Sequence, residues 1–201
     1  MSDKAYPSDI FADSGCRLPA VERDDLDPVG KNIYDAHVNP SGGSVAGLWG
    51  PGGIKLHSPR ISEHTRELTQ YFRRDETFTG PVRETAILVT ARECESQFEW
   101  TAHEPLALGE GVSQATVDAI KYRRDLDGLP EIDAAIIQLG REVFADRRVT
   151  SETFACALDL FGRTTLVDLV SLMADYAGTA ALLCAFDMQV HPDKEPLLSM
   201  D

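Results

Sequence analysis

The chain contains 201 residues, of which 43% are hydrophobic, and this is enough to bury one core of ordinary size. Its 33 acidic residues outnumber its 19 basic residues, so the formal net charge is -14 at pH 7. A field of this sign repels phosphate backbones and anionic lipid surfaces, which argues against nucleic acids and membranes as partners. The first residues lack the basic start and apolar run of a secretory signal, so we expect a cytoplasmic protein.

Residues 1–60 are predicted to form an irregular amino-terminal arm, because proline and glycine are frequent there. A short helix is expected only at about Pro28–His37. The glycine-rich run from Gly42 to Gly53 is predicted to be a flexible loop, since it lacks the Gly-Lys-Ser/Thr ending of a phosphate-binding loop. The sequence leaves open whether this loop is a lid over a pocket or part of a subunit interface.

Residues 61–192 are predicted to form a helical domain, followed by a tail over residues 193–201. The first helix begins near Ser62, and three- and four-residue spacings give it a buried face of Leu68, Tyr71 and Phe72. Pro81 sits in the first turn of the next helix, where proline is tolerated. The remaining helices are predicted at Gln114–Arg123 with Ser113 as its cap, at Pro130–Asp146, from Thr150 or Ser151 through Phe161, and at Arg163–Met188. No repeated strand pattern is present, so the predicted fold class is all-α.

The segment Leu166–Phe186 is apolar enough to raise the question of a membrane span. Asp168 and Asp175 would each cost about 2.5 to 3.5 kcal/mol at a bilayer centre, which favours a helix buried in protein. Together with Ser171 they form a polar stripe at i, i+3 and i+7. This stripe faces solvent, a subunit interface or a site, and the sequence does not decide between them. The apolar remainder of the helix fits an oligomer.

The stretch Arg83–Glu104 holds the densest set of proton-transfer groups in the chain. Glu99 and His103 are four residues apart, so on a helix they share one face. Glu84 would lie about 22 Å from Glu99 in one unbroken helix, at roughly 1.5 Å per residue. If all three serve one site, the chain must break between them. The polar run ECESQ at residues 93–97 is the predicted position of that break.

These residues resemble the carboxymuconolactone decarboxylase family, whose relatives include the alkylhydroperoxidase D-type proteins. The matching features are the run RETAIL that begins at Arg83, the run EWTAH from Glu99 to His103, and the spacing from Glu84 to Glu99. The resemblance extends from about residue 18 to residue 192. It implies an all-α, alkylhydroperoxidase D-like helical bundle that assembles as a trimer or a multiple of trimers.

The peroxidase-type relatives carry a C-x-x-C pair within this frame, and here the pair is missing. Its two positions fall on Ser96 and Glu99, and a relay histidine of those relatives would fall on Phe98. The four cysteines of the chain show no C-x-x-C spacing and are predicted to be reduced and structural: Cys16, Cys94, Cys156 and Cys184. A thiol peroxidase is therefore the least favoured function.

The resemblance implies an acid/base enzyme of the lyase, isomerase or hydratase type that needs no cofactor. Decarboxylation, double-bond migration, lactone opening or hydration of a small oxygenated acid, lactone or ketone are the expected reactions. The predicted catalytic residues are Glu84, Glu99 and His103. His103 is expected to donate or accept the proton, because histidine titrates near neutral pH. Glu99 is expected to be its partner carboxylate and Glu84 to orient it.

Six further residues are candidate substrate contacts: Arg83, Arg92, Ser96, Trp100, Trp49 and His57. Either arginine can bind a substrate carboxylate through two hydrogen bonds. His57 has a structural alternative, in which it bonds nearby backbone. No metal is predicted, since the Glu99-x-x-x-His103 spacing matches neither the zinc nor the di-iron pattern. A catalytically idle oligomeric binding protein of the same fold is the rival prediction.

Overall fold

The computed structural model describes residues 6–39, 45–74 and 76–198. Over these residues the protein contains eight α-helices and no β-strand, so the all-α prediction is confirmed. The helices are α1 (Pro28–Val38), α2 (Pro51–Leu56), α3 (Pro59–Phe72), α4 (Gly80–Glu93), α5 (Gln97–Gly109), α6 (Gln114–Lys121), α7 (Glu131–Arg141) and α8 (Ser151–Ala185). A 3-10 turn at Arg23–Asp25 and a π-helical turn at Glu142–Asp146 complete the regular structure.

The chain divides into two compact units. The amino-terminal unit comprises Met1–Gln70 and Leu182–Glu195, and the central unit comprises Tyr71–Ala181 and Pro196–Asp201. The domain boundaries predicted after residues 60 and 192 stay a prediction, because compactness alone does not show that a segment folds independently.

The amino-terminal unit is more regular than the sequence predicted. The helix expected at Pro28–His37 is confirmed as α1, whose N-cap Asp27 accepts a 2.7 Å hydrogen bond from the backbone N–H of Gly30. The prediction of a flexible loop from Gly42 to Gly53 is wrong for the last residues of this run, because residues from Pro51 onward form α2. Burial of Ile54 and Leu56 offsets the poor helix propensity of the two glycines in this helix. Residues 42–44 of the predicted loop, and residues 199–201 of the predicted tail, lie outside the described residues.

Backbone hydrogen bonds tie the first and last segments of the amino-terminal unit together. The N–H of Arg17 donates to the carbonyl of Phe186 at 2.9 Å, and the N–H of Gln189 donates to that of Gly15 at 2.8 Å. The indole N–H of Trp49 also donates to the Gln189 carbonyl, at 2.9 Å. Trp49 is therefore fixed within this unit.

The central unit is built around α4, in which every residue from Glu84 to Arg92 is buried. A helix without a polar face has to be enclosed by other elements, and α4 packs against α5, α6 and α7. The largest fully buried aliphatic side chains on α4 and around it are Ile87, Leu88, Val89, Val117, Ile120, Ile136, Ile137, Leu169, Leu172 and Met173.

The predicted break between Glu84 and Glu99 is confirmed. Helix α4 ends at Glu93, Glu95 adopts the left-handed conformation with φ of 52°, and α5 begins at Gln97. The N–H groups of Glu95 and Ser96 donate to the carbonyls of Arg92 and Ala91, at 3.1 and 2.8 Å. This is the Schellman pattern, which satisfies the last carbonyls of a helix and usually has glycine at the left-handed position. The two helices therefore form a tight hairpin.

Helix α8 is interrupted at Gly162, which has φ of 69° and ψ of 175°. The prediction of a short helix followed by a long one is thus confirmed, since only glycine adopts such a conformation without strain. Of the two predicted caps, Thr150 and Ser151, Thr150 makes the capping contact, because its Oγ1 accepts from the N–H of Thr153 at 3.2 Å. Among the described residues, α8 alone is long and apolar enough to cross a membrane, and 39% of its most apolar window is buried inside the protein.

Several burial predictions are wrong. On α3, Leu68 and Tyr71 are exposed, and the buried side instead follows Ser62 and Phe72. Between these two residues, the half-buried Thr65 and Thr69 donate their hydroxyls to helix carbonyls one turn back, each at 2.9 Å. Three other residues expected in apolar interiors are exposed: Ile132 on α7, and Cys156 and Cys184 on α8.

Candidate active site

Glu84 and His103 form a buried pair across the α4–α5 hairpin. The Nδ1 atom of His103 lies 2.7 Å from Oε2 of Glu84, and the two residues are 4% and 5% exposed. An ionised carboxylate can only accept a hydrogen bond, so Nδ1 carries the proton. The hydrogen bond thereby fixes both the orientation and the tautomer of the ring.

Glu99 faces the other nitrogen of the same ring. Its Oε2 lies 3.8 Å from Nε2 of His103, and Glu99 is 4% exposed. This separation exceeds a hydrogen bond, although the two groups remain within ion-pair distance. The structure therefore brings the three residues predicted as catalytic together, with His103 between two carboxylates.

The charges around Glu84 favour its ionised form. Burial by itself would raise the pKa of Glu84, but the hydrogen bonds from His103 and Arg83 and the electrostatic attraction of these two side chains lower the pKa below its ordinary value. Arg83 places Nε 3.4 Å from Oε1 of Glu84 and Nη2 3.7 Å from Glu110. Its Nη1 is buried and has no hydrogen-bond partner among the described residues.

Tyr176 on α8 is a site residue that the sequence did not indicate. Its ring packs edge-on against His103, with 5.3 Å between the ring centroids and 85° between the planes. Burial, followed by the negative charges of Glu99 and Glu84, raises the pKa of Tyr176 far above its ordinary value, so the hydroxyl stays protonated. The one feature of the sequence that could have pointed to Tyr176 was its position directly after Asp175, the last residue of the polar stripe.

Asp168 and Ser171, the other two residues of the polar stripe, do not contact His103 but have partners of their own. Asp168 accepts a 2.9 Å hydrogen bond from the hydroxyl of Tyr71, and both side chains are at the surface. The hydroxyl of Ser171 donates to the carbonyl of Val167 at 2.7 Å. These contacts place neither Asp168 nor Ser171 against His103.

Trp100 and Arg92, two predicted substrate contacts, are held in other contacts. The fully buried Trp100 donates its indole N–H to Glu104, which in turn pairs with Lys121 at 3.0 Å. Arg92 donates from Nε to the carbonyl of Lys121 at 2.8 Å. It lies about 13 Å along α4 from Arg83, at roughly 1.5 Å per residue, so the two arginines are not neighbours.

Ser96 is buried immediately before the first residue of α5, and its carbonyl accepts from the N–H of Trp100 at 3.0 Å. The thiol in the same turn, Cys94, has a pKa that burial and the charge of Glu93 raise above the ordinary value. A raised pKa leaves the thiol protonated and weakly nucleophilic.

Trp49 and His57 belong to the amino-terminal unit, where they line a cavity of about 270 Å³. Nε2 of His57 lies 3.0 Å from the carbonyl of Pro19. The carbonyl can only accept, so Nε2 is the donor, and this contact is the structural alternative expected for His57.

Over the described part of the chain, no group of three His, Cys, Asp or Glu side chains is arranged to hold a metal ion. Comparison with protein-family models, with curated proteins and with solved structures gives no match.

Proposed function

We propose that the protein is an acid/base enzyme, without a cofactor, that works through Glu84, His103 and Glu99. The observation that carries this proposal is the placement of His103, with Nδ1 2.7 Å from Glu84 and Nε2 3.8 Å from Glu99. Three ionisable groups buried together cost stability, and perturbed clusters of this kind are concentrated at functional sites. A protein that only needed the fold would gain stability by replacing them with apolar residues.

In the proposed mechanism, Glu84 holds the proton on Nδ1, which leaves Nε2 as the base of the neutral ring. In a substrate with a C=C bond, Nε2 takes a proton from the carbon between that double bond and a carbonyl group, and the electron pair of the C–H bond moves into a dienolate. The imidazolium then returns the proton to the far carbon of the dienolate, so the double bond moves next to the carbonyl group. In a decarboxylation, the electron pair of the broken C–C bond forms the enolate, and a protonated His103 or Glu99 supplies the proton as carbon dioxide leaves.

The charge of the site limits the substrate. Arg83 offers a buried Nη1 without a protein acceptor, which can bind one carboxylate or carbonyl oxygen of a substrate. Two glutamates lie beside the same histidine and repel further negative charge. We therefore propose a small oxygenated acid with a single carboxylate, or a lactone or ketone, as the substrate class.

We also propose that the fold is alkylhydroperoxidase D-like and that the chain forms a homo-oligomer through α8. The support for the oligomer is the apolar surface of this helix: Phe154, Val167 and Val170 are exposed, and Val167 is 64% exposed. The net charge of -14 disfavours an anionic lipid surface as the cover for this face. A second copy of the same helix offers an apolar surface of the same kind.

Deuterium exchange offers a test that does not require the substrate to be known. The purified protein is incubated in D₂O with a panel of keto acids, unsaturated lactones and ketones, and loss of C–H signals and release of carbon dioxide are followed. His103→Gln and Glu99→Gln are each expected to lower the rate of exchange or decarboxylation about 100-fold or more, which is the usual contribution of a positioned acid or base to catalysis. Glu110→Gln is the control, because it removes an equivalent charge near Arg83 but none next to His103. Full activity of His103→Gln would overturn the proposal, and binding of a panel member without exchange or turnover would favour the idle binding protein.

A further inference from the structure

The cavity of the amino-terminal unit has an apolar floor and an acidic rim. Its volume is about 270 Å³, near the lower end of the range for small-molecule sites. Cys16, Ile54 and Leu56 are buried at its base. Asp13 and Glu22 line it as exposed carboxylates. A ligand that fits this cavity therefore combines an apolar body with a polar end.

The aromatic walls of the cavity are Tyr34 and Trp49, and Trp49 is held from several sides. Its indole N–H bonds to the carbonyl of Gln189, and its ring stands edge-on to His191 with 5.1 Å between centroids. The ring also lies directly on Gly15, where a Cβ would come within 2.1 Å of it and where φ is +70°. Only glycine satisfies both conditions, so the wall is fixed before any ligand binds.

Among the residues that the structure describes, no lysine or arginine lines the cavity, whereas the carboxylates of Asp13 and Glu22 do. Arg23, which follows Glu22 in the chain, is bound to Asp35 through two 2.6 Å hydrogen bonds, and this pairing offsets its charge. His57 lines the cavity and uses Nε2 to donate to Pro19. The cavity therefore presents negative charge and two aromatic rings to an incoming molecule.

We propose that this cavity binds a small organic cation, an amine with an aromatic or branched aliphatic body. The body fills the apolar floor, and the ammonium group lies against Tyr34 or Trp49 at the level of the carboxylates. Cation–π attraction and the two carboxylates act in the same direction there, which selects amines against acids of the same shape. This function is independent of the acid/base site, because it uses no residue of the central unit.

Three compounds that share one skeleton test the charge preference: phenethylamine, 2-phenylethanol and phenylacetate. Binding is measured by calorimetry on the full chain and by the fluorescence of Trp49, with Trp49→Phe as the control for the optical signal. Phenethylamine is expected to bind at least about tenfold more tightly than the alcohol, and phenylacetate is expected not to bind. Equal affinities for the three compounds, or no heat with the amine at 10 mM, would overturn the proposal.

Two matched variants locate the cation. Glu22→Gln removes a lining carboxylate whose side chain makes no capping bond, and Asp24→Asn removes an equal charge two residues away, outside the lining. We expect Glu22→Gln to weaken phenethylamine binding about fivefold and Asp24→Asn to leave it within twofold, as expected for local and screened charges. Equal effects of the two variants would show a general charge effect and would refute a defined cation site.

Discussion

Replacing Glu84 by glutamine removes one charge from the buried contact with His103 and keeps a side chain of nearly the same shape. The contact is a 2.7 Å hydrogen bond between groups that are almost fully buried. A hydrogen bond to a charged group contributes about 1.5 to 3 kcal/mol to stability. Glutamine retains an acceptor, so we expect Glu84→Gln to lower the free energy of unfolding by about 2 kcal/mol at pH 7. Glu84→Leu removes the hydrogen-bond acceptor as well as the charge and should lower the free energy of unfolding by about 3 to 5 kcal/mol.

The pH dependence of this loss follows from the lowered pKa of Glu84. A carboxyl group whose pKa is lower in the folded state contributes stability above its unfolded pKa, which is about 4.3 for glutamate. The contribution is lost as the pH falls through the lower, folded pKa. The stability difference between the wild type and Glu84→Gln should therefore be complete at pH 7 and pH 5, and should shrink below about pH 4.

Urea unfolding followed by tryptophan fluorescence measures this difference. In a Trp49→Phe background, the buried Trp100 reports on the central unit alone. With a slope of about 2 kcal/mol per molar urea, the expected shift of the midpoint is about 1 M. Glu110→Gln is the control, since its carboxylate contacts the same Arg83 but is half exposed, and it should shift the midpoint far less. Equal shifts for the two variants, or a difference that grows on acidification, would refute the reasoning.

Three further predictions concern the site and the assembly. A variant without cysteines should keep its turnover and, like the wild type, show no thiol-dependent peroxide consumption; a folded cysteine-free variant that lost turnover would contradict this. Light scattering should show an oligomer at micromolar concentration, and Val167→Glu should shift the equilibrium between oligomer and monomer toward the monomer. A wild-type protein that is monomeric at this concentration would contradict the proposed oligomer. Tyr176→Phe keeps the ring against His103 and should retain the wild-type midpoint, while Tyr176→Ala should lower stability by about 3 to 5 kcal/mol; equal midpoints for both variants would contradict the packing role.

The features that the sequence predicted are those set by short-range patterns. Glu84, Glu99 and His103 can serve one site only if the chain breaks between the first two, and the break was predicted at residues 93–97. Helix α4 ends and α5 begins within these residues. Gly162 separates two helical periodicities and is also the point where α8 is interrupted. Ser113, predicted as a cap, accepts from the N–H of Thr116 at 3.0 Å. In each case the physical cause lies within a few residues of its effect.

The features that the sequence did not predict depend on contacts between distant segments. Tyr176 reaches His103 only through the packing of α8, which no local spacing encodes. Helix α2 forms despite two glycines because Ile54 and Leu56 are buried by the rest of its unit. Arg92 was predicted as a substrate contact from its type alone, and the sequence did not indicate the hydrogen bond from its Nε to the carbonyl of Lys121.

The α4–α5 hairpin also determines the order in which the candidate site forms during synthesis. Glu84 and His103 are 19 residues apart in one hairpin, so little chain entropy is lost when they meet. Tyr176 belongs to the last helix, which leaves the ribosome well after the hairpin is complete. The nascent hairpin therefore carries Glu84 and His103 in contact with water, and the pair is fully desolvated only when α8 packs against it. A chain arrested before α8 is expected to hold the two partners near each other without the rigidity that burial gives them.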